Sequence, residues 1–69
     1  MDLYLCGMQL ARIRKSKGLS QVALAEIVGV EQPTISRIER GDEGVTLRQL
    51  KAVAEALDIT LAEMFAPRS

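Results

Sequence analysis

Gln32 and Arg37, one turn later, are the residues of this 69-residue chain whose types and spacing best suit a chemical task. A glutamine amide can exchange two hydrogen bonds with the edge of adenine in the major groove of duplex DNA. An arginine guanidinium can do the same with guanine. Both fall on the second of two short predicted helices between Ser20 and Gly41, which are joined by a tight turn at Gly29. Two helices so joined, with such side chains on the second, form a groove-reading unit.

The rest of the chain has to position that unit, and its composition limits how. A chain this short buries only about 60% of the surface its unfolded form exposes, so the core must be efficient. A hydrophobic content of 48% permits this without staples. Cys6 is the lone cysteine and there is no histidine, which excludes an internal disulfide and a tetrahedral zinc site. Cys6 reads as an inert small apolar group. No metal or cofactor is expected. No apolar run approaches the roughly 18 residues of a membrane span. The opening segment lacks the basic start of a signal peptide, and the expected location is cytoplasmic. Without histidine, a paired-acid pattern or a glycine-rich phosphate loop, no catalytic role is expected.

Nine basic and nine acidic residues give zero net charge, which argues against a strong nonspecific nucleic-acid coat. The distribution matters more than the sum. Arg12, Arg14, Lys15 and Lys17 fall within six residues, uninterrupted by an acid, and Arg37 and Arg40 follow. Acids gather at Asp42–Glu43 and in the C-terminal third.

Apolar residues recur at helical spacing almost throughout, and no segment alternates like a strand. The pattern predicts five helices in one all-α domain over residues 1–69. The first runs from Leu3 to Lys17, with Asp2 as N-cap and Leu10 and Ile13 inward. Gly7 weakens it by roughly 0.5–1 kcal/mol relative to alanine, and Leu3, Tyr4 and Cys6 have no obvious place in a minimal core. The second, Gln21–Val28, starts at the N-cap Ser20, with Leu24 and Val28 inward and Ala25 small enough for a close helix crossing. The third, Gln32–Arg40, carries Pro33 in its first turn, where a missing N–H costs nothing, and turns Ile35 and Ile38 inward. The fourth opens on the capping box Thr46–Gln49, with Leu47, Leu50, Val53, Ala54 and Leu57 as its buried face. The fifth opens on Thr60–Glu63, carries Leu61, Met64 and Phe65, and ends before Pro67.

The order Arg14 … Gly18-Leu19-Ser20-Gln21 … Leu24-Ala25 … Gly29-Val30 … Thr34-Ile35-Ser36-Arg37-Ile38-Glu39-Arg40-Gly41 … Leu47 … Leu50 … Ala54 … Leu57 resembles the lambda-repressor/Cro-type helix-turn-helix family, also called the XRE family. The resemblance covers about Met8 to Phe65, with the helix-turn-helix at about residues 20–41. It implies a compact five-helix domain and a set of roles. Gln32, Pro33 and Arg37 face the bases. Gln21, Arg14, Thr34, Ser36 and Arg40 approach phosphates, Gln21 at a helix N-terminus that itself favours an anion. Arg14 and Glu39 also match a partly buried salt bridge that fixes the reading helix.

The same resemblance implies a sequence-specific transcriptional regulator, a repressor, that binds a near-palindromic operator in double-stranded DNA as a homodimer. It is similar in kind to phage Cro-like proteins, restriction–modification controllers and DNA-binding antitoxins, the last with a toxin or other co-regulator as partner. Leu61, Met64 and Phe65 offer one dimer surface, and the N-terminal Leu3-Tyr4-Leu5-Cys6 offers another. Three departures make the reader less basic than its relatives: Glu31 at the N-cap of helix three, Pro33 in place of a hydrogen-bonding side chain, and the acids Asp42 and Glu43 behind it. Zero net charge and the Asp42–Glu43 pair favour a second class, a protein-interaction module on the same fold.

Overall fold

Four of the five helices start where a polar side chain satisfies backbone N–H groups that a first turn leaves open. The computed structural model describes residues 2–65 and contains five helices and no strand among them. Helix α1 spans Leu3–Ser16, α2 Gln21–Val28, α3 Gln32–Arg40, α4 Leu47–Ala56 and α5 Leu61–Phe65. The Asp2 carboxylate accepts from the Leu5 N–H, and the Ser20 hydroxyl from that of Ala23. Thr46 and Gln49 form a reciprocal box at 3.1 Å in both directions, and Thr60 and Glu63 form another at 3.2 Å. The expected stop of the last helix before Pro67 lies outside the described residues. Replacing Thr46 with alanine should cost about 1 kcal/mol, within the range for lost N-caps; an unchanged urea midpoint would show that α4 is held by packing alone.

The core is aliphatic. Leu10, Leu24, Ala25, Ile35, Ile38, Leu50, Val53, Ala54, Leu57, Met64 and Cys6 are buried, and Ile13, Val28, Ile59, Leu61 and Phe65 pack half-buried around them. Helix α1 lies against α3 and α5, α2 against α3 and α4, and α4 against α5. No helix among the described residues is long and apolar enough to cross a membrane.

The structure corrects three expectations. Leu47 is 53% exposed rather than part of the buried face of α4. It is the first residue of that helix, and side chains lean toward the helix N-terminus, so it overhangs the end of the core. Cys6, without an expected place, is fully buried. Burial pushes its thiol above the ordinary value, which keeps it protonated and unreactive. Gly7 is the cause. A Cβ there would lie 2.5 Å from the carbonyl oxygen of Glu39 and 2.6 Å from that of Ile38. The missing side chain lets α1 touch the backbone of α3, and that contact draws Cys6 into the core. What composition reads as a weak point in a helix is therefore the crossing that places α3.

The third correction concerns Met64. It is completely buried, so it is a core residue and offers nothing to a dimer partner. Leu61 and Phe65 stay half-buried at the rim beside it.

Candidate nucleic-acid interface

Helix α3 divides its side chains cleanly. Ile35 and Ile38 are in the core. Pro33, Ser36, Arg37 and Arg40, at spacings of three and four, share the outward face, with Pro33, Arg37 and Arg40 exposed. Gln32 and Glu39 lie on the flank toward α1 and α2, and Thr34 on the flank toward α4, where it shares a crevice with Arg37, Val45 and Gln49. The turn before α3 is closed by Gly29, whose φ of 87° suits the left-handed cap and whose N–H reaches the Ala25 carbonyl at 2.8 Å. At its far end, Gly41 (φ 73°) lies so close to Tyr4 that a Cβ would meet the Tyr4 backbone at 2.7 Å. Both ends of the outward helix are thus fixed by backbone geometry.

The flank toward α1 and α2 carries a chain of hydrogen bonds. Arg14 donates from Nε to Glu39 Oε2 at 2.6 Å, from Nη2 to Glu39 Oε1 at 3.1 Å and from Nη1 to the Leu19 carbonyl at 2.7 Å. The two side chains are only 8% and 7% exposed. Glu39 Oε1 also accepts from Gln21 Nε2 at 3.0 Å, and Gln21 Oε1 accepts from Gln32 Nε2 at 2.6 Å. The direction of this chain follows from chemistry. A carboxylate can only accept, so Gln21 must turn its NH2 to Glu39, its carbonyl then faces Gln32, and Gln32 must donate. Gln32 keeps its carbonyl oxygen and one N–H unused, the acceptor–donor pair that an adenine edge requires. No buried side-chain nitrogen or oxygen among the described residues lacks a partner.

This geometry brings Gln32, Pro33 and Arg37 to one side of the molecule with Ser36 and Arg40. It also revises the phosphate set. Arg14 is buried, three of its five N–H donors are bonded to Glu39 and Leu19, and its charge is paired with Glu39, so it presents no free charge to a phosphate. Two neighbours in the same basic run stay outside. Arg12 and Lys15, three apart on α1 and exposed, line a groove with Gln21, Ser36 and Arg40. The signal was present in the basic run: positions 12 and 15 share a helix face, and position 14 turns inward. The Arg12 Nε is held by Gln9 at 3.0 Å. Gln21 has its carbonyl and one N–H engaged; its second side-chain N–H and the first backbone N–H groups of α2 remain for an anion. The Ser36 hydroxyl accepts from Arg40 Nη1 at 2.7 Å, and Arg40 Nη2 lies 3.6 Å from Asp42 in an exposed pair. Such exposed pairs contribute about 0–1 kcal/mol, so Asp42 holds Arg40 only weakly. Asp42 and Glu43 are both exposed beyond α3, and Glu31 is exposed before it.

Known proteins resemble this chain in sequence and in fold. The profile of the helix-turn-helix family HTH_3 matches residues 10–64. The uncharacterised HTH-type transcriptional regulator y4dJ of Sinorhizobium fredii is 35% identical over 63 residues, 91% of this chain and 82% of that protein. The structure of the restriction-modification controller protein C.AhdI from Aeromonas hydrophila superposes with a TM-score of 0.84 at 39% identity, over 93% of this chain and 97% of the other. SinR, a master regulator for biofilm formation whose structure was solved in complex with DNA, superposes with a TM-score of 0.78 at 31% identity, over 88% of this chain and 98% of the other.

Proposed function

This chain belongs to the HTH_3 helix-turn-helix family, and from that premise we propose that it is a repressor that binds a near-palindromic operator as a homodimer. It is a DNA-binding transcriptional regulator. In the proposed complex α3 lies in the major groove, Gln32 reads adenine, Arg37 reads guanine, and the Pro33 ring supplies apolar contact. Gln21, Arg12, Lys15, Ser36 and Arg40 hold the flanking phosphates, with Thr34 at the edge of the groove. The observation that carries this reading is the bonded chain from Arg14 to Gln32. It orients a half-buried amide at the edge of the outward face of α3, an arrangement with no use in packing the core.

Two subunits reading one face of the duplex need their α3 helices about 34 Å apart, one turn of DNA. The domain's Cα extents of 29 × 25 × 17 Å suit two copies set side by side. Leu61 and Phe65, half-buried at the edge of α5, are the proposed dimer contact. Covering a promoter would then repress it. The reading assigns no catalysis and no cofactor to the chain, which would act as a single domain in the cytoplasm.

Selection of bound duplexes from a random pool, with the complex sized on the same material, tests this directly. A two-fold-symmetric site bound by two chains is the expected result. Gln32→Ala or Arg37→Ala should each cost about 1–3 kcal/mol on that site and relax base preference at one position per half-site. If both variants select the same sequences as the parent, the base-reading assignment is wrong.

The exposed acids Glu31, Asp42 and Glu43 around a neutral chain favour one other reading, a module that acts mainly through a protein partner such as a toxin or co-regulator. Salt separates the two. A DNA reader loses affinity steeply as salt rises, because each phosphate contact releases counterions. Failure to bind any duplex at low salt would favour the protein partner.

A further inference from the structure

Glu31 is the N-cap of α3, with extended backbone angles of φ −81° and ψ 152°, and its side chain makes no capping bond. Its carbonyl accepts from the Thr34 N–H at 3.0 Å, so the backbone at this position is held. Its carboxylate is exposed and has no hydrogen-bond or ion-pair partner among the described residues. A negative charge thus stands unengaged beside Gln32, at the end of α3 that enters the groove first in the proposed complex.

The geometry points to Glu31 as a specificity-determining residue that selects cytosine at the base step next to the one Gln32 reads. The inference rests on the proposed docking of α3 in the major groove. A carboxylate carried toward DNA is repelled by the phosphates on either side, so it cannot serve as a backbone contact. Among the base edges, guanine offers N7 and O6 and thymine offers O4, all acceptors that repel it. Adenine offers the N6 amine but sets the N7 acceptor beside it, an edge suited to an amide that both donates and accepts. Cytosine offers the N4 amine alone, and a carboxylate can accept from it. The charge therefore contributes to selectivity mainly by rejecting three of the four bases. It also weakens attachment to DNA without the site, in keeping with a chain of zero net charge.

Glu31→Gln keeps the shape and removes the charge. Because the side chain makes no bond within the fold, the two proteins should melt within a few degrees of each other, the difference being the loss of a carboxylate beside the positive end of α3. Parent and variant are each used to select from one random duplex pool at one salt concentration. The parent should enrich cytosine at a fixed position beside the Gln32-dependent base, and exchanging that cytosine for guanine should weaken it about 5–150-fold, the usual cost of one mismatched pair. The variant should lose that restriction, discriminate cytosine from guanine less than about 5-fold there, bind random duplex more tightly, and retain the positions read by Gln32 and Arg37. Identical preferences for the two proteins at every position would overturn the role of Glu31 while leaving the docking of α3 intact. Absence of any enriched sequence with either protein would overturn the docking itself, and this inference with it.

Discussion

Glu39→Ala is expected to lower the unfolding free energy by about 3–5 kcal/mol, the usual cost of leaving one member of a buried ion pair alone. Arg14 would lose two of its hydrogen bonds while remaining buried, and its contact with the Leu19 carbonyl cannot compensate for the charge. A domain of this size has a total stability of roughly 3–10 kcal/mol at about 0.05–0.15 kcal/mol per residue. The loss is therefore comparable to the whole margin, and the variant should be partly unfolded at 37 °C. A urea titration measures it; a midpoint within error of the parent's would mean that the pair contributes nothing. The paired replacement Arg14→Met with Glu39→Leu separates packing from positioning. Apolar residues of similar volume often restore or exceed the stability of a buried ion pair. They cannot restore the acceptor for Gln21, so Gln21 and Gln32 become free to rotate. The double variant should fold as well as the parent yet discriminate adenine less sharply at the Gln32 position. Recovery of both properties together would show that the Glu39–Gln21 bond plays no part in reading.

Gly7→Ala is the second large effect, and its sign runs against helix propensity. In an open helix the change would stabilise by about 0.5–1 kcal/mol. Here the added carbon would lie 2.5–2.8 Å from backbone atoms of Ile38 and Glu39. Backbone on both sides cannot yield as a flexible side chain would, so α1 must move away from α3. Overpacking of this kind costs typically about 1–3 kcal/mol and occasionally more, which outweighs the propensity gain. At about 4–8 °C per kcal/mol for a domain of this size, the melting temperature should fall by roughly 5–20 °C. A rise would mean that the helices have room to part.

The parts of the fold that rest on local chemistry were legible in the sequence. Ser20, Thr46 and Thr60 announce helix starts because a cap needs only its own next few residues, and Gly29 and Gly41 announce ends for the same reason. The face of α3 followed from spacing. What escaped depended on which helix lies across which. Gly7 reads as a weakness until α3 is known to pass over it, and Cys6 has no place until that crossing exists. Met64 is apolar in either reading; only the position of its neighbours decides whether it faces the core or a partner. The family pattern offers Arg14 two roles, and burial allows one. The bonds from Glu39 to Gln21 and from Gln21 to Gln32 join residues 18 and 11 positions apart. No local pattern predicts them.

The division of α3 bears on how such a protein can change its target. Its inner residues and Glu39 hold the helix in place, while Pro33, Ser36, Arg37 and Arg40 face outward and bear almost none of the core. Address and chassis are carried by different positions of one helix. In the proposed docking, mutation of Pro33 or Arg37 would redirect the protein with the frame left standing, whereas a change at Gln32 would also break its bond to Gln21.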